Sequence, residues 1–139
     1  MRIYISVKEI KKQGNRIQPL PWDLPETPET LRQLISMLVS DSVAGYNRRL
    51  ETKEQRVLLP QEDMDDMSMI GKIGFGIPFG TRRAKLSDAV ETALQGFEDD
   101  LYRVFAGERE VESLDAPLAL EEGDTVTLIR LVMLTGGYF

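Results

Sequence analysis

The chain of 139 residues contains no cysteine and no histidine. The first absence excludes a disulfide framework, a thiolate zinc site and a cysteine nucleophile. The second removes the commonest general base near neutral pH and the commonest transition-metal ligand, so any catalysis has to rest on carboxylates, Ser, Thr, Lys or Tyr. Basic residues are in deficit too: 17 Lys and Arg against 23 Asp and Glu leave a net charge of −6, the wrong sign for displacing counterions from a phosphate backbone. Nucleic acid is therefore not an expected partner. No apolar run approaches the ~18 residues of a membrane span, and the opening MRIYISVKEI carries charges inside an alternating pattern instead of an apolar signal core. The expectation is a cytoplasmic protein with no membrane partner.

What is present fits an ordinary globular domain, with 42% hydrophobic and 29% charged residues. The length suits a single domain over residues 1–139. Near the start, Ile3, Ile5 and Val7 share one parity while Tyr4, Ser6 and Lys8 share the other, the period-two pattern of a strand with one buried face. KKQGN supplies a polar turn. RIQPLPW then resumes in extended form with prolines that suit an edge strand.

The segment LPETPETLRQLISMLVSDSVAGYNRRL predicts a helix. Thr27 is placed to cap it, Pro28 to occupy the first helical position, and Glu29 to favour the positive end of the dipole. Leu31, Leu34, Ile35, Leu38 and Val39 make one apolar stripe, and Gly45 predicts an end between there and Arg49. Further on, VLLP suits a short strand, and a glycine-rich stretch, GKIGFGIPFGTRRAK, precedes a second helix. Ser87 or Asp88 is expected to cap that helix, with Leu86, Val90, Ala93, Leu94 and Phe97 on its apolar side. From Leu101 the pattern returns to strands: LYRVF, a turn at AGE, REVESL, an irregular DAPLALEEGD, and a long strand TVTLIRLVML.

A hairpin, a helix crossing back and a final long strand make an α+β chain in the element order of the β-grasp fold: a mixed sheet, a long helix on one face, and an inserted loop-plus-helix segment at about 52–99. The stretch LYRVFAGEREVESLDAPLALEEGDTVTLIRLVMLTGG also resembles the C-terminal half of ubiquitin-like sulphur carriers, the ThiS and MoaD group. WDLPETPETLRQLISML is similar to their passage from the second strand into their one long helix. The likeness covers roughly residues 1 to 50 and 100 to 137 and leaves the insertion without a counterpart. It implies a non-enzymatic ubiquitin-like protein that works through protein–protein contact. Its alternative implication is a sulphur carrier or protein modifier, activated by an adenylating enzyme at Gly137 of the Gly136-Gly137 pair. The family's carriers end at the second glycine; here Tyr138 and Phe139 follow, so that chemistry requires their removal.

Other motifs carry less. GFGIPFG, Gly74 to Gly80, lacks the strand-to-helix context of a dinucleotide loop, and Pro78 falls where the helix should run. The reading is a glycine-hinged loop bearing Phe75, Ile77 and Phe79, either tucked under the insertion or exposed as part of an interaction surface. EDMDD, Glu62 to Asp66, lacks the alternating ligand spacing of a calcium loop, so neither metal nor cofactor is expected. The last strand is apolar on both parities: Val126, Leu128, Val132 and Leu134 with Arg130 interrupting on one, Ile129, Leu131 and Met133 on the other. Burying each of the last three is worth about 1.5–3 kcal/mol. The second face of the sheet is therefore expected to be covered by the insertion, a second copy or a partner, and Ile129, Leu131 and Met133 are the candidate contact residues there.

Overall fold

The computed structural model describes residues 1–9, 16–55, 70–77 and 85–131. Strand β1 (Arg2–Glu9) and strand β2 (Arg16–Asp23) form the opening antiparallel hairpin. Ile3, Ile5 and Val7 are each fully buried, as their alternation requires. β2 lies at the sheet edge, where Pro19 and Pro21 cost no ladder bond in a central strand. The hairpin register shifts between Ile5 and Val7. Trp22 pairs with Ile3 and is fully buried, and its Nε1 donates to Asp41 Oδ2 at 2.7 Å, tying the edge strand to the helix above it.

Helix α1 (Leu31–Gln55) is longer and starts later than the sequence suggests. The cap is Thr30, not Thr27: the Gln33 N–H donates to Thr30 Oγ1 at 3.3 Å, and the Glu29 N–H donates to Gln33 Oε1 at 2.7 Å. This exchange resembles a capping box. The delay has a tertiary cause. Thr30 bridges to Pro117, the Leu118 N–H reaches Glu29 O at 3.1 Å, and the Arg32 N–H finds Leu114 O at 2.8 Å. These bonds hold the approach extended and satisfy a donor at the helix start that has no partner within the helix. Nor does α1 stop near Gly45, which is buried within the helix and flanked by buried Val43 and Tyr46. Packing there outweighs the glycine's propensity cost of roughly 1 kcal/mol. α1 therefore runs into the segment expected to be an insertion from residue 52.

A five-residue π-helical turn, Ile70–Gly74, comes next in the described chain, followed by helix α2 (Leu86–Glu98). Lys85 precedes α2 and gives it no side-chain cap, so Ser87 and Asp88 lie inside the first turn, with Asp88 favourably placed for the dipole. The buried positions of α2 are the small ones, Ala89, Ala93 and Gly96; Val90, Leu94 and Phe97 are half-buried around them and Leu86 is exposed.

Strands β3 (Tyr102–Ala106), β4 (Arg109–Val111) and β5 (Thr125–Arg130) complete a five-stranded mixed sheet in the order β2-β1-β5-β3-β4. β5 runs parallel to β1, with Ile5 opposite Val126 and Val7 opposite Leu128, and antiparallel to β3, with Val104 opposite Leu128. A parallel pair needs a crossover, and everything from α1 to β4 lies between its two strands. The architecture is α+β, with the two helices among the described residues and the π-turn packed on one face of the sheet. One hydrophobic cluster joins sheet, α1, π-turn and α2. The loop after β4, irregular in sequence, contributes Leu114, Leu118 and Leu120 to it.

Candidate functional site

The two faces of β5 behave differently. Val126 and Leu128 point inward with Arg130, all buried; Thr125, Thr127 and Ile129 point outward and are half-buried. The outer face is assembled by register: Ile129 stands beside Arg103 of β3 and Lys8 of β1, and Thr127 stands beside Phe105 and Ser6. Tyr4 and Phe105 are half-buried and Ser6 is buried on this face, with exposed Lys8 and Arg103 around them. It is an amphipathic face on which Thr127 and Ser6 stand in the middle, Tyr4, Phe105 and Ile129 add aromatic and aliphatic carbon at successive levels, and Lys8 and Arg103 flank Ile129.

Of the residues named from the sequence for this face, Ile129 lies in the strand. Leu131 falls just after it, half-buried, with its N–H donating to Leu101 O at 2.9 Å. Met133 lies outside the described residues, as do Phe79, the acidic stretch Glu62 to Asp66, VLLP and the pair Gly136-Gly137. Tyr4 and Phe105 were not singled out by the pattern. Tyr4 sits on the polar parity of β1, and Phe105 reaches the same face, with β5 between them, through the pairing of β3 with β5.

Phe75 and Ile77 are removed from the candidate surface, because they are 2% and 3% exposed and belong to the core. The described part of the insertion does not cover the outer face either. The π-turn backbone at Gly74 sits over Leu128 and Val7, so closely that a Cβ there would lie 2.8 Å from Leu128 Cδ1. Both are inward-pointing, and the insertion thus shares the helical side with α1.

Arg130, which interrupts the apolar parity, keeps its place facing inward at 5% exposure. Its guanidinium lies against Gly76, and Nη1 donates to Gly74 O over a long 3.4 Å. Beside it Tyr102 packs edge-on against Phe75, ring centroids 5.4 Å apart, and Phe97 at 6.1 Å, while its hydroxyl donates to Ala93 O at 2.6 Å. Burial pushes the Tyr102 phenol well above the ordinary tyrosine range, and the Arg130 charge opposes that only in part. A cleft of about 500 Å³ opens here, lined by Phe75, Thr92, Gln95, Leu101 and Arg130 among others.

At the surface, the hydrogen bond from Arg2 holds the Asp23 carboxyl below its usual range, and that from Arg32 does the same for Asp115. No group of three acidic residues suited to a metal ion occurs among the described residues. No helix among them is long and apolar enough to cross a membrane. No family model, curated protein or solved structure matches the chain.

Proposed function

We propose that the chain is a ubiquitin-like β-grasp protein that works by protein–protein contact rather than by catalysis, using the outer face of its sheet. The observation that carries this reading is the sheet itself: order β2-β1-β5-β3-β4, with β5 parallel to β1 at the centre and one long helix crossing between the opening hairpin and the remaining strands. That order is compatible with a β-grasp arrangement, and it leaves one face without a helical layer among the described elements. Tyr4, Phe105 and Ile129 share that face on three neighbouring strands at successive levels, and Lys8 and Arg103 flank Ile129. A face that combines aromatic and aliphatic carbon with hydroxyls and flanking charge has the composition of a contact surface. Because many ubiquitin-like domains share the fold and differ in use, the sheet order supports the fold reading and the outer face supports the contact role.

The alternative, a carrier activated at Gly137, draws its support from β5 being the central strand that leads toward Gly136-Gly137, with Tyr138 and Phe139 standing against it. A photo-crosslinking phenylalanine analogue at position 105, introduced in the native cell, tests the contact reading. A discrete adduct is expected from position 105, lost on Ile129→Ser and missing when the same probe is placed at the exposed loop residue Glu121. Equal labelling from both positions would rule out the outer face.

A further inference from the structure

The helical side carries a second surface that the outer sheet face does not explain. Leu86, 46% exposed, is the large hydrophobic residue that stands furthest into solvent among the described residues. It opens α2 beside Val90, and with Met37 of α1 and Pro25 of the preceding loop it lines a groove of about 340 Å³ whose walls are mostly carbon. A second hollow of about 430 Å³ shares Ser36 and Met37 with the first and continues toward Glu26 and Glu29. Together they form a trough along the first half of α1. The step from Arg32 to Asp41 gives it a length of about 14 Å at ~1.5 Å per residue.

The trough is apolar at the Leu86 end and acidic along its length. Asp41 belongs to the apolar groove, while Glu26 and Glu29 stand exposed at the other end. Among the described residues that line it the cation is Arg32, whose charge is engaged by Asp115 through two bonds of 3.1 and 3.3 Å. Three carboxylates against one neutralised guanidinium give a negative field, over carbon at the Leu86 end and over a mixed polar and apolar lining at the Glu29 end. The lining contains Met37, a side chain that adapts to differently shaped anchors. The same field repels another copy of this chain, which carries −6 overall, and repels an anionic membrane surface.

We infer that this trough docks a short basic amphipathic segment of another protein, about ten residues if helical, with a large apolar side chain between α1 and α2 and Lys or Arg beside Glu26 and Glu29. The surface is separate from the outer sheet face, so either can fail without the other.

Selection of a displayed library of random dodecapeptides against the full chain is the test. Enriched peptides should place Leu, Met or Phe next to Lys or Arg. A labelled representative should lose about tenfold or more in affinity on Leu86→Asp, and lose affinity on Glu26→Lys with Glu29→Lys or on adding salt. It should be unaffected by Ile129→Ser. Leu86 is exposed, so Leu86→Asp should melt with the parent, which separates lost docking from lost folding. No enrichment over bare resin, enriched peptides without basic residues, or binding indifferent to Leu86→Asp would each overturn the inference.

Discussion

Gly76 stands at φ +73°, and a Cβ added there would lie 2.8 Å from Arg130 Nη1 and 3.0 Å from Nη2. Gly76→Ala therefore imposes two costs. Holding a side-chain-bearing residue in the left-handed region costs roughly 1–2 kcal/mol. The guanidinium must also move, and Arg130, though 5% exposed, borders the cleft of about 500 Å³; overpacking costs about 1–3 kcal/mol, and the lower half applies because the clash is with the end of a flexible chain that has room beside it. The sum is about 2–4 kcal/mol. Gly107 supplies the control: its φ of +64° is similar, but nothing lies within 4 Å of its added Cβ, so Gly107→Ala should cost only the roughly 1–2 kcal/mol of backbone strain. Urea unfolding followed by circular dichroism should show a lower midpoint for both variants at unchanged slope, with the larger shift at Gly76. Equal shifts would refute the packing of the 70–77 segment against Arg130, and with it the placement of the insertion in the core.

Three further outcomes follow from the same contacts. Tyr102→Phe deletes the buried bond to Ala93 O and should cost about 1 kcal/mol. Because the raised phenol stays protonated in the fold after the unfolded chain ionises, parent stability should fall from about pH 10 upward, and the variant should lose that part of the slope; identical alkaline slopes would contradict it. Asp115, held below its usual range by the bond from Arg32, favours the fold above the ordinary aspartate range and loses that effect as pH falls through its lowered value. Asp115→Asn should thus be slightly less stable than the parent at neutral pH and converge with it in acid, whereas a gap that persists through the acid range would count against the pair. Ile129→Ser, on a half-buried outer-face position, should leave the monomer folded with a modest loss of up to about 1 kcal/mol; unfolding of this variant would mean that the position is core and not contact surface.

The parts of this fold legible in the sequence are those set by local periodicity. Alternation in RIYISVKE, prolines on RIQPLPWD and the α1 stripe all gave elements that the structure contains. Boundaries set by distant residues were not legible. The start of α1 depends on bonds from Thr30 and Arg32 to the loop around Leu114 and Pro117, more than eighty residues away. The passage of α1 through Gly45 depends on burial that propensity does not see.

The candidate surface divides along the same line. Ile129 was readable from parity within one strand, whereas Tyr4 and Phe105 join it only through cross-strand register. For Phe75 and Ile77 the sequence left burial under the insertion and exposure on a surface both open, because glycine marks flexibility as readily as close approach. Gly74 and Gly76 in fact let backbone sit against Leu128 and Arg130. The inward Arg130 read as an interruption of an apolar parity, and its role at the π-turn needed three-dimensional proximity to see.

The central claim is that the folded surface does the work and the tail does not undergo chemistry at Gly137. Trypsin cleaves after Arg130, so mass spectrometry of the peptide beginning at Leu131, from protein isolated from its native cell, addresses that claim directly. The account predicts that this peptide continues through Gly136-Gly137 into Tyr138. A peptide that ends at Gly137, as a carboxylate, as a thiocarboxylate or joined to a lysine, would contradict it.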